Sequence, residues 1–218
     1  MTDELFWIGV VIVTVLGLWL FVTVWRAFEQ LRAKNGVFTR REIERGLRRL
    51  GQLAKQQGAE VKLQVFGGGA MLLAFNARPS TKDFDVVIKS DRDLVLNLAE
   101  QVALEFGWSK GWLNDEVTQT LFGSSDGKKV FSSSGITVEI PSLIQLLASK
   151  LTAFRGGQDQ KDAEFILRAV IKSQRGLTLE ALWQLIFGHV GNEDADWAHQ
   201  NLIIIWKEVK GDAVDEDT

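Results

Sequence analysis

Between Val65 and Ile88 the chain reads VFGGGAMLLAFNARPSTKDFDVVI, with three successive glycines, Gly67 to Gly69, and two aspartates, Asp83 and Asp85, separated by one residue. In an extended strand residues two apart point to the same side, so Asp83 and Asp85 present their carboxylates together at the entry to the apolar run DVVI. Adjacent carboxylates repel, and both stay ionised when a cation lies between them. Oxygen-only donors select Mg2+ or Mn2+, the metals that accompany nucleotide phosphates. The glycines offer the other half of such a site: a turn without side chains lets backbone amides approach a phosphate, and a helix starting there adds the positive end of its dipole. Each feature also has a plainer reading, a tight turn with no ligand and a solvated pair of loop aspartates. The absence of G-x-G-x-x-G and of Gly-Lys-Ser/Thr excludes the dinucleotide fingerprint and the Walker loop.

The bulk composition narrows the chemistry. With 218 residues, 46% of them apolar, the chain can bury one good core. No cysteine is present, which excludes disulfides and thiolate metal sites, and two histidines, His189 and His199, make a zinc site a poor fit. Any metal is expected to be held by oxygen.

Around the glycine and aspartate stretch the periodicity predicts helix, strand, glycine turn, helix, strand. Thr39 and Glu42 have capping-box spacing, and Ile43, Leu47, Leu50 and Ala54 recur on one helical face before Gly58. VKLQVF and FDVVIK read as strands, and AMLLAF as a short buried helix. Downstream, DLVLNLAEQVALEFG is helical, KKVFSSSGITVEIP is a hairpin or strand pair, and SLIQLLASKLTAF is a helix capped by Ser142. After Gly156 and Gly157 a helix is expected from about Lys161 to Lys172, followed by two closing helices. The fold class expected is α+β, a small mixed sheet flanked by helices.

Leu5 to Trp25 is a run of 21 uncharged residues, which at about 1.5 Å per residue spans roughly 31 Å, the thickness of a bilayer's hydrocarbon core. Residues 26 to 55 carry nine Lys or Arg against three acids, so the positive-inside rule places the N-terminus outside. The expected organisation is a transmembrane anchor over 1–26, a juxtamembrane linker over 27–37, a domain over 38–210 on the cytoplasmic side of a single-pass membrane protein, and an acidic disordered tail over 211–218. The basic run also reads as the solvated face of a helix, or as a surface for anionic lipid or nucleic acid.

GGGAMLLAFNARPSTKDFDVVI resembles the signature of the nucleotidyltransferase fold, the polymerase-β-like superfamily, in particular the AbiEii and MenT group of toxin-like enzymes and a related uncharacterised bacterial family. Their pattern is Gly-Gly-x-Ala, about ten residues, then Arg-x-Ser/Thr-x-Asp-hydrophobic-Asp. Gly67, Gly68 and Ala70 match the first part, and Arg78, Thr81, Asp83 and Asp85 the second. The later segment PSLIQLLASKLTAFRGGQDQKDAEFIL is similar to the group's downstream motif, with Lys150, Arg155, Asp159 and Asp162 in its places, and GWLND at 111–115 resembles a segment between the two. The similarity runs over about residues 38 to 170.

The resemblance implies a metal-dependent enzyme moving NMP from an NTP to an RNA or protein hydroxyl. Gly67, Gly68, Arg78, Thr81 and Lys150 would bind the nucleotide, while Asp83 and Asp85 would hold Mg2+ or Mn2+. Glu139 would be a third ligand, although Asp is commoner there. Asp159 or Asp162 would accept the acceptor's proton or orient Lys150. An antitoxin-like partner is a further implication. Two other readings stay open at this point, a nucleotide-binding regulatory module without transfer and a non-catalytic membrane scaffold.

Overall fold

The computed structural model describes residues 7, 13–25, 27, 36–119 and 122–215. Helix α1, residues 13–25, has exposed side chains along almost its whole length. Residues 1–6, 8–12 and 26 of the predicted anchor lie outside the described residues, as do residues 28–35 of the predicted linker. Among the described residues no helix is long and apolar enough to cross a membrane. That finding overturns the expected transmembrane helix and, with it, the single-pass location.

The rest is a mixed α/β domain. Strand β1 (Phe38–Thr39) leads into α2 (Arg40–Gln56), followed by β2 (Val61–Val65), α3 (Gly67–Leu73), β3 (Ser80–Thr81), β4 (Phe84–Ile88) and α4 (Arg92–Phe106). Then come β5 (Leu113–Asn114), β6 (Lys128–Ser133), β7 (Ile136–Ile140), α5 (Leu143–Thr152), α6 (Gln158–Ser173), α7 (Leu179–Phe187) and α8 (Ala195–Asp215). Five strands form one sheet in the order β5-β4-β2-β7-β6, and β1 pairs with β3 in a separate two-stranded ribbon. β2 runs antiparallel to β4 and parallel to β7, while β4 runs parallel to β5.

Local chemistry sets most element ends. Glu42 N–H donates to Thr39 Oγ1, and Thr39 N–H donates to Glu42 Oε2 at 2.6 Å, completing the expected capping box. Asp91 caps α4 through Leu94 N–H, and Gly107, in the left-handed region, ends it. Ser142 caps α5 through Gln145 N–H.

Three boundaries differ from the sequence expectation. The glycines are not a turn ahead of a helix but its first turn, with only Gly67 at positive φ (+55°). Helix α6 starts at Gln158, directly after the left-handed Gly156 and Gly157, so Asp159 and Asp162 both fall in its opening turns. Helix α8 continues to Asp215, into the span expected to be a tail, while residues 216–218 lie outside the described residues.

The core lies on both sides of the sheet. On one side Phe84 of β4 stacks on Trp112, whose indole N–H donates to Ala99 C=O of α4, and Gly46 lets α2 approach the rings of Trp108 and Trp112. On the other, α5, α6, α7 and α8 pack together as a helical layer. Many charges of the basic segment are committed locally: Glu44 pairs with Arg40 and Arg48, Glu105 pairs with Arg49, and Arg45 lies over the Phe106 ring.

Gly69 matters to this core more than its place in the motif suggests. A Cβ there would stand 2.7 Å from the Phe84 ring and 2.9 Å from a Val65 methyl, both fully buried. Overpacking of about 1–3 kcal/mol outweighs the ~0.5–1 kcal/mol that alanine gains over glycine in a helix. We expect Gly69→Ala to lower Tm in a thermal melt; an unchanged or higher Tm would show that α3 slides to make room.

Candidate functional site

Strand pairing explains why the glycines and the aspartates meet. β2 ends at Val65 opposite Val86 of antiparallel β4, and Phe66 N–H donates to Asp85 C=O at 2.9 Å, so the first turn of α3 begins beside Asp85. Alternation along β4 buries Phe84 and Val86 against the α4 side and turns Asp85 to the other, where α5 carries Lys150.

The result is a cleft of about 910 Å³. Its lining includes Gly67, Gly68, Arg78, Thr81, Asp83, Asp85, Lys150 and Asp159, so eight of the residues predicted from sequence, on four separate stretches of chain, share one cavity. Gly67 and Gly68 are small for a visible reason. A Cβ on Gly67 would stand 2.6 Å from Asp85 Oδ2, and one on Gly68 would collide with Thr81 Oγ1 and lie 3.0 Å from the Arg78 guanidinium. Phe66 contributes no side-chain cap to this helix start. Thr81 Oγ1 donates to Asp83 C=O at 2.9 Å, tying down the loop on which Asp83 is exposed.

The cationic wall is an ion-pair network. Lys150 Nζ, nearly buried, lies 2.9 Å from both Asp159 Oδ1 and Asp162 Oδ2. Arg78 grips Asp162 with two parallel bonds, Nε to Oδ1 at 3.0 Å and a shorter one from its terminal nitrogen to Oδ2. Gln158 Nε2 donates to Asp162 Oδ1 at 3.1 Å, and exposed Arg155 approaches Asp159 Oδ2 at 3.7 Å. Asp162 itself is 2% exposed and lies behind the cleft wall, spanning Arg78 and Lys150. Its oxygens are taken up by Arg78, Lys150 and Gln158, which fits it to orient Lys150 rather than to take a proton from an acceptor. Asp159, at the surface of the cleft, is the member of the pair that an acceptor could reach.

Glu139 does not join this cleft. It pairs with Gln64 across parallel β7 and β2, and Gln64 pairs in turn with Val87, so β2 stands between Glu139 and β4, and Asp85 lies two residues further along β4. Its carboxylate instead fills the space above Gly127. Among the described residues no three His, Cys, Asp or Glu side chains are gathered closely enough to hold a metal by themselves.

Electrostatics single out Asp85. Burial pushes its carboxyl above the ordinary carboxylate range; a hydrogen bond from Asn114 opposes this, the Asp83 charge adds to it, Lys150 opposes it, and Glu116 adds to it. A carboxylate held against its own charge, beside a second acid, is chemically suited to a divalent cation. With two aspartates as the available donors, Mg2+ or Mn2+ would complete its shell with phosphate oxygens and water, which is how Mg2+ commonly sits at nucleotide sites.

Two residues close to Asp85 carried no assigned role in the sequence. Asn114 Nδ2 donates to Asp85 Oδ1 at 3.1 Å, and Glu116 lines the cavity. Both belong to or follow GWLND, but only the parallel pairing of β5 with β4, Asn114 against Asp85, shows what the segment does.

The fold and site together define a mixed α/β domain whose sheet edge opens into a polar cleft, carboxylates on one wall and an anchored lysine and arginine on the other. No protein-family model matches the chain, and no curated protein matches it.

Proposed function

We propose that the protein is a metal-dependent nucleotidyltransferase that moves NMP from an NTP to a hydroxyl of an RNA or protein acceptor. The observation that carries this reading is the juxtaposition of the uncapped Gly67-Gly68 turn with Asp83 and Asp85, facing Lys150 across one cleft. The resemblance to the AbiEii and MenT group points the same way, and an antitoxin-like partner would accompany a toxin-like role.

Asp83 and Asp85 would hold Mg2+ or Mn2+, which when bound neutralises phosphate charge as the α-phosphorus is attacked. The Gly67 and Gly68 amides would receive the phosphates, and the absence of side chains lets Asp85, Thr81 and Arg78 stand against the same turn. Lys150 offers a compact cation, kept in place by Asp159 and Asp162 so that little reorganisation is needed on binding. Arg78, clamped by Asp162, brings a second fixed cation beside Gly68. In the transfer itself the acceptor oxygen bonds to the α-phosphorus, the α–β phosphoanhydride bond breaks, pyrophosphate leaves, and the hydroxyl proton passes to Asp159 or to water. Such a reaction relies chiefly on positioning and electrostatics, which this set of residues supplies.

Incubating the protein with labelled NTPs, Mg2+ or Mn2+ and total RNA or cell lysate should transfer label, and the double change Asp83→Ala with Asp85→Ala should abolish it. Metal-independent labelling that survives the double change would overturn the proposal. A second reading, nucleotide binding without transfer, is favoured by the lack of a third carboxylate gathered with Asp83 and Asp85 among the described residues. It expects NTP to raise Tm with no labelled product.

A further inference from the structure

We infer that Asn114 is a positioning residue that fixes the plane of the Asp85 carboxylate, so that the oxygen it does not hold faces the nucleotide turn. This assignment rests on the transferase reading above and adds to it a residue outside the acidic and basic set. Asn114 is placed by the sheet, since β5 pairs parallel with β4 and sets Asn114 directly against Asp85. The two ends of its side-chain amide are then distinguished. Glu116 N–H donates to Asn114 Oδ1 at 3.2 Å, which commits that end to the backbone, and Nδ2 is left to donate to Asp85 Oδ1 at 3.1 Å. A relay of one backbone N–H, one amide and one carboxylate oxygen follows, each donor meeting an acceptor.

The other oxygen, Asp85 Oδ2, is the one packed over Gly67, within 2.6 Å of where a Cβ would stand. Oδ1 is held from the β5 side and Oδ2 is directed at the start of α3, so the carboxylate cannot rotate without breaking the Asn114 bond or leaving the glycine. Oδ2 is therefore the oxygen offered to a cation shared with phosphate at the Gly67-Gly68 turn. Glycine at position 67 and asparagine at position 114 serve the same carboxylate from opposite sides. Partners that orient a ligating carboxylate typically alter metal affinity by about 10–100-fold when removed.

The experiment is a double-mutant cycle read by Mn2+ binding, using the full chain with Mn2+ alone and following free Mn2+ by electron paramagnetic resonance. Asn114→Ala should weaken Mn2+ binding by about 10-fold or more in the unaltered background. In an Asp85→Ala background the same change should weaken it less than about 2-fold, because the carboxylate it orients is gone. Asn114→Gln, which keeps the amide but carries it one methylene too far, serves as a second variant that preserves bulk and polarity and should weaken binding in the same sense. Equal losses in both backgrounds, or no loss with either variant, would overturn the assignment while leaving the transferase reading intact. Failure of the unaltered chain to bind Mn2+ at millimolar concentration would overturn the metal reading itself, and this assignment with it.

Discussion

Asp85→Asn should abolish nucleotidyl transfer and at the same time make the metal-free protein more stable. The two effects share one cause. Burial and the neighbouring Asp83 and Glu116 charges hold the Asp85 carboxyl above the ordinary carboxylate range, so its ionised form is disfavoured in the folded state. Asparagine removes the charge and retains an oxygen to accept from Asn114, so the sheet contact survives. In differential scanning calorimetry at pH 7 without metal, Tm should rise by about 2–4 °C, the shift that about 1 kcal/mol gives in a domain of this size. Transfer should fall by at least ~10²–10³-fold, the range seen when one group that stabilises transition-state charge is removed.

The pH dependence tests the cause. Because the folded-state value is raised, the unfolded chain gives up this proton at lower pH than the folded one. Folding stability is therefore lost as pH rises through the interval between the ordinary carboxylate value and the raised one, and the loss is complete above it. The Tm advantage of Asp85→Asn should shrink as pH falls through that interval. An advantage that is constant with pH, or a variant less stable than the parent at pH 7, would show that the carboxylate is not held against its charge. Saturating Mg2+ and NTP should reverse the order, stabilising the parent and not the variant.

Asp162→Ala should be the most destabilising change at the site. Asp162 is the buried acid to which Arg78 and Lys150 are both bonded, and its removal leaves two cations with one remaining acid, Asp159, on the cleft surface. Breaking a buried ion pair by deleting one partner costs about 3–5 kcal/mol. Lys150 keeps its bond to Asp159 and the Arg78 side chain is 17% exposed, so both can relax and the lower end applies, about 3 kcal/mol or roughly 6–12 °C in Tm. Asp159→Ala should cost much less stability, since Asp159 is on the cleft surface and Lys150 retains Asp162, yet it should cost activity. The comparison separates the roles of the two acids: a stability loss for Asp159→Ala as large as that for Asp162→Ala would contradict the division proposed between an anchor and a cleft-facing group. Urea denaturation of both variants, analysed with a common slope, makes the measurement.

Much of this site could be read along the chain because its parts obey short periods. Alternation in FDVVI alone turns Asp85 away from Phe84 and Val86, and the spacing of Thr39 with Glu42 and the position of Ser142 mark helix starts that the structure reproduces. These are contacts between residues two to four apart, where backbone geometry leaves few choices. The helix bounds went astray at the glycines, where absence of a Cβ permits both a turn and a helical start, and the neighbours decide which.

What the order of residues could not contain is which strands lie side by side. The antiparallel pairing of β2 with β4 brings Gly67 to Asp85, and the parallel pairing of β4 with β5 brings Asn114 to the same carboxylate from 29 residues away. The interposed β2 keeps Glu139 out of the cleft although it lies on a strand of the same sheet. The start of α6 three residues earlier than its periodicity suggests puts Asp162 in its first turns, under both Lys150 and Arg78. Sequence thus determined which groups face the same way within each element. Tertiary structure alone decided which elements are neighbours, because that choice is set by burial of the whole core and not by any local run of residues.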